Sequence, residues 1–76
     1  MDNLPLEMIE RIGKYLGKVN FTTMYECFQK KEGRKKFLGV VAEKNSKLMH
    51  EISITRKQSY IFQKIINFYK ELIINN

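Results

Sequence analysis

A proline at position 5, followed by an amphipathic stretch that ends at Leu16, is the feature that most limits how this chain can fold. Proline has no backbone N–H and its φ is held at about −65°, so Asn3-Leu4-Pro5-Leu6-Glu7 reads as a helix start. Asn3 and Asp2 stand just upstream, where a side-chain oxygen can accept a free N–H of the first turn. Glu7 puts negative charge beside those same groups. Met8, Ile9, Ile12, Tyr15 and Leu16 then recur at steps of three and four, forming one stripe on a helix expected over Pro5 to Leu16. Gly17 is well placed to stop it. Gly13, inside the helix, costs about 1 kcal/mol relative to alanine, which is consistent with close approach of a neighbouring element.

The remaining sequence reads as further helices separated by short punctuation, giving an all-α, single-domain bundle of about five helices. Asn20 is a good N-cap for a second helix with Phe21, Met24, Tyr25 and Phe28 on one face, closed by Gln29 to Lys31. Gly33 breaks the pattern, and a third helix is expected over Arg34 to Ala42, burying Phe37, Leu38 and Val41. Asn45-Ser46 can cap a short helix containing Leu48, Met49 and Ile52, although the alternation from Glu51 to Thr55 also fits a brief strand. Thr55 and Gln58 have capping-box spacing ahead of the last helix. Its stripe is Ile61, Phe62, Ile65, Phe68, Tyr69, Leu72 and Ile73. Ile66 and Ile74 lie partly off that stripe, so this helix is expected to be covered on two sides, within the fold or by a partner.

The chain has 76 residues. A domain of that size buries only roughly 60% of the surface its unfolded form exposes, which leaves little room for a catalytic cleft. One cysteine, Cys27, and one histidine, His50, make neither a disulfide framework nor a Cys/His metal cluster. Neither a Gly-rich phosphate loop, a nucleophile motif nor a carboxylate pair is visible. The expectation is a protein that is not an enzyme and takes no cofactor or metal. Cys27 is expected to be a small core residue, and Tyr15, Tyr25, Tyr60 and Tyr69 are spaced like core-edge aromatics. Glu7, Glu10 and Arg11 interrupt any signal-peptide-like apolar stretch, and no run reaches the roughly 18 apolar residues of a membrane span. A lone thiol suits a reducing compartment, so the expected location is cytoplasmic, nuclear or both. Frequent Lys, Ile and Asn hint at an AT-rich genome such as a viral one, in which case the compartment is that of a host cell.

The net charge of +6 fits nucleic acid, an acidic protein or an anionic membrane surface as partner, and equally a charge that serves solubility alone. Lys30, Lys31, Arg34, Lys35 and Lys36 crowd one turn and could neutralise phosphates with release of counterions. No recognition helix with suitable polar residues stands beside them.

Leu4-Pro5, the acidic Glu7, the apolar Met8, Ile9 and Ile12, and the closing Tyr15-Leu16 together resemble the opening of an F-box. The turn Gly17-Lys18-Val19-Asn20-Phe21 also fits that family, and Met24, Cys27 and Phe28 fall where its second helix keeps apolar residues. The family usually follows its second helix with a basic pair and a tryptophan, whereas here Lys30 is followed by Lys31; the chain has no tryptophan, and Phe37 would stand in for the second one. The resemblance covers Asn3 to Phe37. It implies a three-helix region, residues 1–41, that docks on the helical adaptor subunit of a cullin-type ubiquitin ligase. Leu4, Pro5, Met8, Ile9, Ile12, Leu16, Phe21 and Met24 would then bind the partner. Residues 42–76 of the same domain would hold a target protein to be recruited or redirected. The alternative is a small basic helical protein that binds nucleic acid through Lys30 to Lys36.

Overall fold

Pro5 stands immediately before the first helix and does not enter it. The computed structural model describes residues 2–74 and contains five α-helices: α1 (Leu6–Tyr15), α2 (Lys18–Cys27), α3 (Lys31–Lys44), α4 (Ser46–Thr55) and α5 (Tyr60–Ile74). A single 3₁₀ turn over Arg56–Gln58 joins α4 to α5. The fold is therefore all-α, and the stretch from Glu51 to Thr55 is helix, not strand. Leu48, Met49 and Ile52 form its buried stripe while Ile54 points outward, and that periodicity decides the matter.

Several helix ends differ from the expected ones, each time because a group from elsewhere supplies the hydrogen bond. Pro5 is extended, with φ −60° and ψ 148°, and its carbonyl accepts the N–H groups of Met8 and Ile9. Asp2 does not cap α1. Its carboxylate accepts the N–H groups of Gln29 and Lys30 at 3.2 and 2.9 Å, just ahead of α3. Gly17 is the residue before α2, in extended conformation with φ −97°, so α2 begins at Lys18 and Asn20 is an exposed residue within its first turn. Gly33 does not break a helix; it is buried in the first turn of α3, which starts at Lys31. A Cβ there would lie 2.5 Å from Asp2 Oδ1 and 3.1 Å from Phe28 Cδ1, so glycine makes room for the carboxylate that closes this end. Thr55 does not open α5. Its hydroxyl donates to the carbonyls of Glu51 and Ile52 and so finishes α4, whereas Ser59 Oγ accepts the Phe62 N–H at the start of α5.

Asn45 performs the capping expected of it, its Oδ1 accepting the Leu48 N–H at 3.3 Å. The core draws on all five helices, so residues 1–41 and 42–76 share one interior. Phe37 of α3 lies at its centre, stacked on Phe28 and Phe21 with ring centroids 5.1 and 5.7 Å apart; Phe62 of α5 meets Phe21 edge-on at 6.5 Å. Such pairs are worth about 0.5–1.5 kcal/mol each beyond the area they bury. Ile9, Leu38, Val41, Ile52 and Ile65 complete the fully buried set. Ile66, placed off the α5 stripe by sequence, is buried too, because α4 covers that side. Cys27 is exposed rather than a core residue; it lies roughly a third of a turn from the Phe21–Tyr25–Phe28 stripe. Of the tyrosines only Tyr25 is buried and Tyr69 half-buried, whereas Tyr15 and Tyr60 project into solvent.

Candidate functional site

Helix α1 divides its apolar residues between two surfaces. Ile9 is fully buried, and Gly13 brings α1 against α3 so closely that a Cβ would lie 3.1 Å from Val40 Cγ1. Leu4 and Leu16 are partly buried against the same core. Phe21 of α2 is fully buried and Met24 partly buried beside it. Ile9, on the stripe of α1 that α3 covers, and Phe21, packed between Phe37 and Phe62, are thus core residues with no surface free for a partner. This corrects their expected placement on a binding surface.

What remains for a partner is the flank of α1 next to the buried stripe. Met8 is 48% exposed, Ile12 is half-buried, and Tyr15 is 81% exposed. These three follow one another at i, i+4 and i+7, so they form a continuous line along the helix. Pro5 is exposed at the head of α1 and Leu6, 51% exposed, follows it; Val19, 86% exposed, stands at the start of α2. Leu6 and Val19 were missed in the sequence. For Leu6 a signal existed: an apolar side chain in the first turn has no preceding turn to pack on. The opposite flank is polar. Glu7, Glu10, Arg11, Lys14 and Lys44 surround an open depression of about 540 Å³, and Tyr15 borders it with Lys14 Nζ 5.5 Å from its ring centroid. Within it Arg11 pairs with Glu7 and Lys44 with Glu10, each at 3.7 Å. Exposed pairs of this type stabilise little.

The five basic residues expected in a turn lie instead at the head of α3, Lys30 just before it and Lys31, Arg34, Lys35 and Lys36 within its first two turns, and they do not form one equivalent set. Arg34 is committed to the fold: its Nε donates to the Phe28 carbonyl at 2.6 Å and its guanidinium lies 4.6 Å from the Tyr25 ring centroid. Burial raises the Tyr25 pKa, and the neighbouring Arg34 charge and hydrogen bond oppose that rise. Lys30, Lys31, Lys35 and Lys36 are exposed, with Lys31 and Lys35 one turn apart on the same face. None of these four is in an ion pair among the described residues. They sit at the positive end of the α3 dipole, where cations are disfavoured, and the carboxylate of Asp2 partly offsets them.

His50 is exposed on α4. Among the described residues no group of three or more His, Cys, Asp and Glu side chains could hold a metal ion, and no helix is long and apolar enough to cross a membrane. Comparison with protein-family models, with curated proteins and with solved structures finds no match to this chain.

Proposed function

We propose that this protein is a non-catalytic interaction module, F-box-like, that docks on the adaptor subunit of a cullin-type ubiquitin ligase and thereby recruits or redirects a target protein. The observation that carries the reading is the exposed line Met8–Ile12–Tyr15 on α1, headed by Pro5 and Leu6 and braced from behind by Ile9 and Gly13. A helix held rigidly on one side with apolar residues free on its flank has the form used when one helix packs into the groove of another protein. The resemblance of Leu4 to Leu16 to the F-box opening supports the same surface. A few anchors of this kind would dominate the affinity, each worth about 2–4 kcal/mol on truncation.

Affinity capture from a eukaryotic lysate tests the proposal. The wild-type chain should retain a ligase adaptor with its cullin, and a Pro5→Ala/Met8→Ser variant should not. Capture of neither by the wild type would contradict it.

The second reading, nucleic-acid binding, has one observation in its favour: the four exposed lysines around the start of α3, unpaired among the described residues. Salt separates the two readings, because phosphate contacts weaken steeply with added salt and an apolar interface hardly changes.

A further inference from the structure

A groove with walls from α3, α4 and α5 is lined by no residue of α1. One part, about 310 Å³, is lined by Met49, His50 and Ser53 of α4 and by Ile66, Tyr69, Lys70 and Ile73 of α5. A second part, about 170 Å³, lies between Lys35 and Gly39 of α3 and Tyr69, Leu72 and Ile73 of α5. Tyr69 and Ile73 line both parts, so the two adjoin along this pair of α5 side chains. A Cβ at Gly39 would meet nothing within 4 Å, which leaves the α3 wall low at that point. Ile73, near the end of α5, is 58% exposed.

The lining is charged on one side of the balance only. Its charged side chains are Lys35 and Lys70, with no aspartate or glutamate among the lining residues, in a chain of net charge +6. That combination disfavours a second copy of the same chain, which would bring its own positive charge to the rim. The described residues contain no strand, so there is no sheet edge on which an extended peptide could be added, and the backbone groups of the walls are engaged within helices. Binding here must use side chains, and a cleft between helices accepts the side-chain ridge of another helix.

We propose that this groove docks an acidic amphipathic helix of a partner protein, its apolar ridge on Ile66, Tyr69 and Ile73 and its carboxylates against Lys35 and Lys70. The inference deepens the function proposed above and rests on it only for the role of the bound protein as target; the groove and its chemistry stand apart from α1.

Two synthetic helical peptides test it: one with leucine at i, i+4, i+7 and i+11 and glutamate on the other faces, the second with lysine in place of glutamate. Fluorescence anisotropy with the full chain should show binding of the glutamate peptide only. Amide shifts of the ¹⁵N-labelled chain should cluster at Gly39, Ser53, Tyr69, Lys70 and Ile73. A Lys35→Glu/Lys70→Glu variant and, separately, Ile73→Ser should each weaken binding at least about tenfold, with the helical circular dichroism of the wild type. Four results would overturn the proposal: equal binding of both peptides, no binding of the glutamate peptide at millimolar concentration, unchanged affinity in the variants, or shifts centred on α1. Ligase-adaptor capture by the same variants keeps the two claims separate. It should survive in them, and a Pro5→Ala/Met8→Ser chain should still bind the glutamate peptide.

Discussion

The side-chain amide of Asn45 donates to the carbonyl oxygens of Gly13 and Leu16, at 2.9 and 3.0 Å, while its Oδ1 accepts the Leu48 N–H. One residue thus closes the last turn of α1, opens α4 and ties both to the end of α3. Both amide hydrogens and an oxygen lone pair are used, which only asparagine or glutamine can supply in this arrangement. Asn45→Ala removes a cap, takes the donor from the Leu16 carbonyl and leaves the Gly13 carbonyl with only the Leu16 N–H at 3.4 Å, and should destabilise by about 2 kcal/mol. Asn45→Asp keeps the acceptor but sets a charge against two carbonyls, so at neutral pH it should cost at least as much. Urea denaturation of the two variants checks both statements. An alanine variant as stable as wild type would show that the tie contributes nothing.

Gly13 and Gly39 should respond to alanine with opposite signs. At Gly13 the new methyl meets Val40 Cγ1 at 3.1 Å; overpacking costs about 1–3 kcal/mol and outweighs the gain of about 1 kcal/mol in helix propensity. At Gly39 nothing lies within 4 Å, so the propensity gain of about 0.5–1 kcal/mol stands alone. Thermal unfolding should therefore rank Gly39→Ala above wild type and Gly13→Ala below it. The same sign at both positions would contradict the close packing of α1 on α3.

Asp2 gives the fold an acid sensitivity of predictable direction. Accepting the Lys30 N–H holds its carboxyl below the usual aspartate range, with the Gln29 N–H and the Lys30 charge adding to that against partial desolvation. A carboxylate with a depressed folded pKa stabilises fully above its unfolded value and loses that contribution as pH falls through the folded value. The difference in Tm between wild type and Asp2→Ala should be constant near neutrality and shrink below about pH 4. A difference that persists unchanged down to pH 2 would mean that the ionised form of Asp2 is not what holds this end of α3.

The number of helices was legible in the sequence because each carries apolar residues at three- and four-residue steps, and the buried set Phe21, Phe37, Leu38, Ile52 and Ile65 follows from those stripes. Ends were legible only where the cap is local, as at Asn45 and Leu48. Asp2 was assigned to α1, its neighbour in sequence, yet its partner lies 28 residues away. Gly33 reads as a breaker in the sequence because the carboxylate and the Phe28 ring that need its missing side chain belong to other segments. The α1 stripe itself is plain, but its division into a buried part at Ile9 and a free flank at Met8 and Tyr15 depends on which side α3 covers. The close approach of Gly13 to Val40 marks that side, a pairing across the chain that periodicity does not encode.

Charge reversal at the exposed lysines distinguishes a docking role from a nucleic-acid role. Lys31→Glu/Lys36→Glu should leave the fold and ligase-adaptor capture unchanged, because both residues lie outside the α1 flank and the α3–α5 groove and project into solvent. If instead the chain binds a duplex with a steep salt dependence, each lysine lost should lower the slope of log K against log salt by about 0.9. Such a slope, together with loss of binding in this variant, would favour the nucleic-acid reading.

Titration calorimetry with a purified ligase adaptor subunit tests the central claim most directly, comparing wild type with Pro5→Ala/Met8→Ser/Tyr15→Ser. These residues are exposed, so the variant should fold. The account predicts measurable binding by wild type, little changed by salt, and a loss of about a hundredfold or more in the variant. Absence of binding by wild type, or equal affinity in the variant, would contradict it.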